Sequence, residues 1–143
     1  MVKHLLDQVD LVHHNGRPDI FNIGRKYNDE QILEIFGDDR RPVFVAVDEA
    51  DEVLGYCFGI VQESIGDNVV VDHKTFYIDD LCVDEQCRGG GVGRALYQYA
   101  VDYARSIGCY NVTLNVWECN PSARAFYDSL GMKPMKTYME EIL

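Results

Sequence analysis

Basic residues are scarce in this chain. Thirteen Lys and Arg stand against 24 Asp and Glu in 143 residues, a formal charge of −11. A field of that sign repels nucleic-acid phosphates and anionic membrane surfaces and favours cationic small molecules. Long apolar runs are missing too: no stretch approaches the ~20 residues that a membrane span needs. The amino terminus, Met1 to Leu6, turns acidic at Asp7 before a leader-like apolar region can build. A CxxC pair is also lacking. The five cysteines, Cys57, Cys82, Cys87, Cys109 and Cys119, are odd in number and scattered. That argues against a zinc knuckle and a disulfide framework, and fits reduced thiols in a cytoplasm. Repeats, linkers and low-complexity tracts are absent, so residues 1–143 read as one domain, long enough to bury a core without staples.

Glycine is what the chain has in concentration, and it has it in one place. Arg88-Gly89-Gly90-Gly91-Val92-Gly93-Arg94 lies between an apolar run, Phe76 to Val83, and a segment in which Val92, Leu96, Tyr99, Tyr103 and Ile107 recur every three or four residues. The spacing predicts strand, glycine loop, helix. Backbone N–H groups at a helix start are unpaired and sit at the positive end of the dipole, so such a loop suits phosphate oxygens. The Walker pattern GxxxxGK followed by Ser or Thr is absent. The dinucleotide pattern GxGxxG fails because Arg94 stands three residues after Gly91.

Arg88-x-x-Gly91-x-Gly93 resembles the acyl-CoA pyrophosphate loop of the GNAT superfamily of N-acyltransferases. Tyr77-Ile78-Asp79-Asp80-Leu81-Cys82-Val83-Asp84 resembles the strand that precedes that loop. Asn120-Pro121-Ser122-Ala123-Arg124-Ala125-Phe126-Tyr127-Asp128-Ser129-Leu130-Gly131-Met132 resembles the Asn-x-x-Ala-x-x-Phe-Tyr-x-x-x-Gly-Phe segment that follows, with Met132 in place of the frequent Phe. The three stretches cover roughly the C-terminal half of the chain in the family's order. The resemblance implies an α/β (α+β) fold: a mixed, mostly antiparallel sheet flanked by helices, with one parallel strand pair around the loop. It also implies acetyl-CoA as co-substrate and direct attack by an amine without an acyl-enzyme; no metal is expected, because neither a CxxC pair nor HxxxH spacing is present. Relatives usually begin with a strand, whereas this chain enters a helix almost at once, so the first strand is missing or replaced by a few residues.

The rest of the chain supplies the expected elements. Leu5, Leu6, Val9 and Val12 form a helical stripe closed by Asn15-Gly16 and Pro18. Asn28 with Gln31 forms a capping box for a helix ending at Gly37. Val43 to Val47 and Val53 to Val61, separated by acidic residues 48–52, read as an antiparallel hairpin. Val112 to Trp117 returns as a strand parallel to the one before the loop, the two joined by the loop helix. Asn120 and Pro121 open the last helix, which Gly131 ends, and Met132 to Ile142 are expected to form a last strand.

Roles follow from the resemblance, residue by residue. Asp79 matches the position of the family's general base, acting directly or through water, and on a regular strand Asp80 faces the opposite side. Tyr127 matches the acid for the leaving sulfur. The amides of Leu81, Cys82 and Val83 match those that hold the thioester carbonyl and pantetheine. Arg88, Gly89, Gly90, Gly91, Val92, Gly93 and Arg94 match the pyrophosphate loop, with Arg124 and Asn120 as further contacts. Asn120 is also explained by capping alone. The first helices border the acceptor pocket in relatives, which makes His13, His14, Arg17 and Asp19 candidates for acceptor binding. His13 and His14 also suit a helix C-terminus electrostatically. The acidic charge favours a small primary amine as acceptor. A protein or peptide amine, a non-catalytic acyl-CoA sensor and a homodimer all remain open.

Overall fold

A computed structural model describes residues 2–143. The order is α1 (Val2–Gly16), α2 (Asp29–Phe36), β1 (Val43–Val47), β2 (Val53–Ser64), β3 (His73–Val83), a 3-10 turn (Glu85–Cys87), α3 (Val92–Ser106), β4 (Asn111–Leu114) and α4 (Pro121–Ser129). The four strands form one sheet in the order β1-β2-β3-β4. The first two junctions are antiparallel and the β3–β4 junction is parallel. This is the mixed sheet expected, and among the described residues no strand precedes α1.

Local chemistry sets the element ends. Asn28 caps α2 through the Gln31 amide, and the Gln31 side chain returns the bond to the Asn28 amide. The hairpin between β1 and β2 is pinned by Asp48, whose carboxylate accepts from the amides of Ala50 and Glu52. Asn120 Oδ1 accepts from the Ala123 amide at 3.2 Å, with Pro121 opening α4.

The sheet buries both faces. On one, Leu5 and Leu6 of α1 and Ile32 and Ile35 of α2 pack on Tyr56, Phe58 and Cys82. On the other, Leu96, Ala100 and Ala104 of α3 pack on Cys57, Phe76 and Ile78. Alternation along β3 is broken once. Phe58 pairs with Asp80 and Gly59 with Ile78, so Asp79 is an extra residue with no partner on β2, a β-bulge.

Two expectations at the carboxyl end are corrected. β4 stops at Leu114 rather than Trp117. Residues 132–143 form no strand: Tyr138, Met139 and Ile142 stand exposed, and the only side-chain tie described there joins Glu140 to Arg17. Without ladder hydrogen bonds to a neighbour, an apolar segment has no reason to adopt strand pairing.

Candidate active site

The glycine loop presents bare backbone. After Asp84 caps the 3-10 turn through the Gln86 amide, Gly89 and Gly91 take φ of 86° and 84°. A Cβ at either would meet nothing within 4 Å, so both are open positions where the left-handed backbone alone calls for glycine. Gly91 is the N-cap of α3 and supplies no side-chain cap, which leaves the first-turn amides of Val92, Gly93 and Arg94 without a capping acceptor. Gly93 serves packing instead: a Cβ there would lie 3.1 Å from Phe126 Cζ and 3.4 Å from Val83 Cγ2. Arg88 and Arg94 are exposed and neither has a hydrogen bond or ion pair among the described residues, whereas Arg124 is paired with Asp128 at 3.1 Å. Open amides at a positive helix end beside two unengaged guanidinium groups fit a pyrophosphate.

Next to the loop the sheet opens. β4 pairs with Thr75 to Ile78 of β3 and no further, so Asp79 to Val83 have no neighbour on that side. The Asp84 amide donates to Leu54 O at 2.8 Å, which sets the phase of the strand. Alternation then turns the amides of Leu81 and Val83 toward the opening and that of Cys82 toward β2, where it pairs with Tyr56. Two of the three amides expected to face a thioester are therefore presented. Cys82 is corrected: its amide belongs to the β2 ladder, and its buried thiol donates to Leu5 O at 3.5 Å.

The bulge also changes the carboxylates. Because Asp79 is the inserted residue, its side chain and that of Asp80 project to the same face, toward α1 and α2, and not to opposite faces as a regular strand would have it. The Tyr27 hydroxyl donates to Asp79 Oδ2, and Lys26 Nζ donates to Asp79 Oδ1 at 3.1 Å and to its carbonyl at 2.8 Å. Asp80 accepts from the Tyr56 hydroxyl at 2.8 Å. Burial raises the Asp80 pKa, opposed by Lys26 and by the Tyr56 hydrogen bond and reinforced by Asp79 and Asp10. Asp10 of α1 is raised as well, first by burial, and its Oδ2 is buried with no hydrogen-bond partner among the described residues.

Tyr127 enters from α4. It is half-buried, meets Phe126 edge to face at 5.2 Å, and its hydroxyl has no hydrogen-bond partner among the described residues. Burial holds its pKa above the ordinary phenol value, and the nearby Cys57, Asp80 and Cys82 add to that.

The acceptor-side candidates separate. His13 stacks on Phe21 at 5.1 Å beside Trp117, and burial lowers its pKa against the pull of Asp80. His14 Nδ1 lies 2.6 Å from Phe21 O; as a carbonyl only accepts, that nitrogen carries the proton. Arg17 holds Asp19 through two bonds of 2.9 and 2.8 Å and Glu140 at 2.6 Å, so these groups satisfy one another. His13 is tied electrostatically to Asp80 of the bulge. Lys26, Tyr27, Tyr56, Asp10, Phe21 and Trp117 were not singled out in sequence. No local motif marks them, because their partners lie far off in the chain: Lys26 meets Asp79 across 53 residues, and Phe21 meets Trp117 from the other end of the chain. No group of three or more His, Cys, Asp or Glu among the described residues is placed to hold a metal, and no helix is long and apolar enough to cross a membrane.

A mutant of the BH1408 protein from Bacillus halodurans has a TM-score of 0.96 with 34% identity, over 99% of this chain and 91% of that one. Glucosamine 6-phosphate N-acetyltransferase of Arabidopsis thaliana is 31% identical over 68 residues, 48% of this chain and 44% of that enzyme. Peptidyl-lysine N-acetyltransferase YjaB of Escherichia coli K12 is 33% identical over 92 residues, 64% of this chain and 50% of that enzyme. The matched part thus spans half or less of either curated relative. The profile of the acetyltransferase (GNAT) family matches residues 9–132, which takes in the loop, the bulged strand and Tyr127, and the chain belongs to that family.

Proposed function

We propose that this protein transfers an acetyl group from acetyl-CoA to a primary amine by direct attack. One observation carries the reading: the amide-rich start of α3 lies beside an open edge of β3 that presents the amides of Leu81 and Val83, with Tyr127 close by. The loop residues 88–94 would hold the pyrophosphate, with Asn120 at the end of α4 as a further contact. Leu81 and Val83 would hold the thioester carbonyl, where a hydrogen-bond donor is typically worth ~3 kcal/mol in the transition state. Tyr127 would protonate the leaving sulfur. The Asp79–Asp80 pair would serve the incoming ammonium, Asp79 being the position that the family resemblance names.

Direct attack is supported by the state of the nearby thiols. Burial pushes Cys57 and Cys82 up to about 12, so neither is a thiolate at neutral pH, and the thiolate is the nucleophilic form. For the acceptor, we favour a small, unphosphorylated amine. Among the described residues on the α1 side, Arg17, Arg25 and Lys26 are each engaged by a carboxylate, which weakens the case for a sugar phosphate there. A peptide amine is the second reading, favoured by the similarity to the peptidyl-lysine enzyme.

Thiol release from acetyl-CoA, followed with spermidine, glucosamine, glucosamine 6-phosphate and a lysine peptide, tests both. Turnover of spermidine or glucosamine above the phosphosugar and the peptide is expected. Preference for the peptide moves the assignment to the second reading. Binding of CoA without turnover of any amine makes the protein a sensor.

A further inference from the structure

We infer that Asp80, not Asp79, takes the proton from the acceptor ammonium, and that Asp79 is a positioning residue holding the segment between α1 and α2 against the bulge. The inference rests on the acetyl-transfer reading above.

Geometry separates the two carboxylates. Both oxygens of Asp79 are occupied, one by the Tyr27 hydroxyl and one by Lys26, whose ammonium also holds the Asp79 carbonyl. A carboxylate bridged to an ammonium at 3.1 Å is stabilised as the anion and makes a weak base. Its partners explain what it does. Tyr27 stacks on Phe58 at 5.8 Å, and Arg41 lies 5.7 Å from the Tyr27 ring. Asp79 therefore ties residues 26 and 27, 53 and 52 positions away in sequence, to the strand just where the bulge would otherwise leave it unpartnered.

Asp80 is placed differently. It has one described hydrogen bond, from Tyr56, and no ion pair among the described residues. The titratable groups that influence it come from α1 (Asp10 and His13), the following segment (Lys26), β2 (Tyr56), β3 (Asp79 and Cys82) and α4 (Tyr127), with Cys57 reached through the sheet on its other face. Both carboxylates project to the face of α1 and α2, and Asp80 alone of the two keeps an oxygen, Oδ1, with no hydrogen bond among the described residues. Burial makes it more basic than an ordinary carboxylate, which is the direction a proton acceptor needs.

The protons balance. The ammonium gives one proton to the Asp80 carboxylate, and the neutral nitrogen attacks the thioester carbon to form the C–N bond. As the C–S bond breaks, the sulfur takes the Tyr127 hydroxyl proton. The amide nitrogen loses its surplus proton to the resulting phenolate. Asp80 returns its own proton to water before the next turnover, so the reaction as a whole releases one proton.

Asp80→Asn, Asp80→Glu and Asp79→Asn test this at saturating acetyl-CoA. The amine is whichever of spermidine, glucosamine and the lysine peptide the wild type turns over fastest, followed from pH 6.5 to 9.5. Asp80→Asn is expected to lose ~10²–10⁴-fold at neutral pH. The loss shrinks as pH rises and free amine becomes available, and Asp80→Glu restores part of the rate. Asp79→Asn is expected to lower Tm and raise KM for the amine, with a pH profile parallel to wild type. Acetyl-CoA binding by each variant, read as its melting shift, shows that the fold survives. A pH-recoverable loss in Asp79→Asn, or a loss in Asp80→Asn that is uniform with pH, overturns the assignment. Absence of turnover in wild type on these three amines and on glucosamine 6-phosphate fails the acetyl-transfer reading itself, and the role of Asp80 falls with it.

Discussion

Gly91 offers a way to separate what the loop costs the fold from what it gives the ligand. Its φ of 84° and ψ of 4° lie in the left-handed region, and a Cβ there meets nothing within 4 Å. The penalty for Gly91→Ala is then backbone strain alone, ~1–2 kcal/mol. For a chain of 143 residues each kcal/mol shifts Tm by ~3 °C, so the free protein should melt ~3–6 °C lower. Gly91→Asp carries the same strain but puts a carboxylate at the N-terminus of α3, which by itself returns ~0.3–1 kcal/mol. The free Asp variant should therefore be no less stable than the Ala variant. Ligand reverses that order. At a hundredfold excess over Kd, acetyl-CoA adds ~2.7 kcal/mol to a protein that binds it only when folded, a rise of ~8–9 °C in wild type. The added negative charge and bulk should abolish that rise in Gly91→Asp. Gly66→Ala is the control: φ is 73°, its Cβ site is equally empty, and it lies in the loop between β2 and β3. It should lose similar stability and keep the full acetyl-CoA shift. Melting curves with and without millimolar acetyl-CoA decide the matter. A Gly91→Asp protein that still gains ~8 °C would refute the loop assignment.

Three further outcomes are expected. Tyr127→Phe should cut turnover ~10²–10⁴-fold with acetyl-CoA affinity unchanged; Tm should hold, because no described hydrogen bond of the hydroxyl is lost, and wild-type turnover would return Tyr127 to core packing. Asp80→Asn should raise Tm at pH 7, because a carboxylate whose folded pKa lies above the ordinary 3.8 destabilises the fold at every pH above both values. The gain should fade as pH drops from the folded value toward 3.8, where both states hold the proton, and a gain independent of pH would contradict the burial argument. Gly59→Ala would set a Cβ 2.1 Å from Cζ of the fully buried Phe76; overpacking of this kind costs ~1–3 kcal/mol, read as a lower midpoint in urea, and an unchanged midpoint would mean that the β2–β3 junction yields freely.

Short-range patterns in the chain determined a good deal. The strand, loop and helix around Gly91, the hairpin of Val43–Val47 with Val53–Ser64, the capping box at Asn28 and the Asn120-Pro121 helix start all depend on groups within a few residues of each other, and each is present. A turn or a cap is closed by hydrogen bonds its own neighbours can make, so the order of residues suffices to reveal it. The candidate site depends on longer reach. Whether Asp79 and Asp80 share a face was decided by one inserted residue in the pairing of β3 with β2, and period-two alternation read along β3 alone cannot show where a ladder slips. The same pairing turned the Cys82 amide away from the opening. Lys26 and Tyr27 reach Asp79 across 53 and 52 residues, and Tyr56 reaches Asp80 across 24, through contacts that exist only once α1, α2 and the sheet have packed. A strand was expected of residues 132–143, yet a strand exists only through its ladder hydrogen bonds, and in the tertiary structure these residues pair with none of β1 to β4.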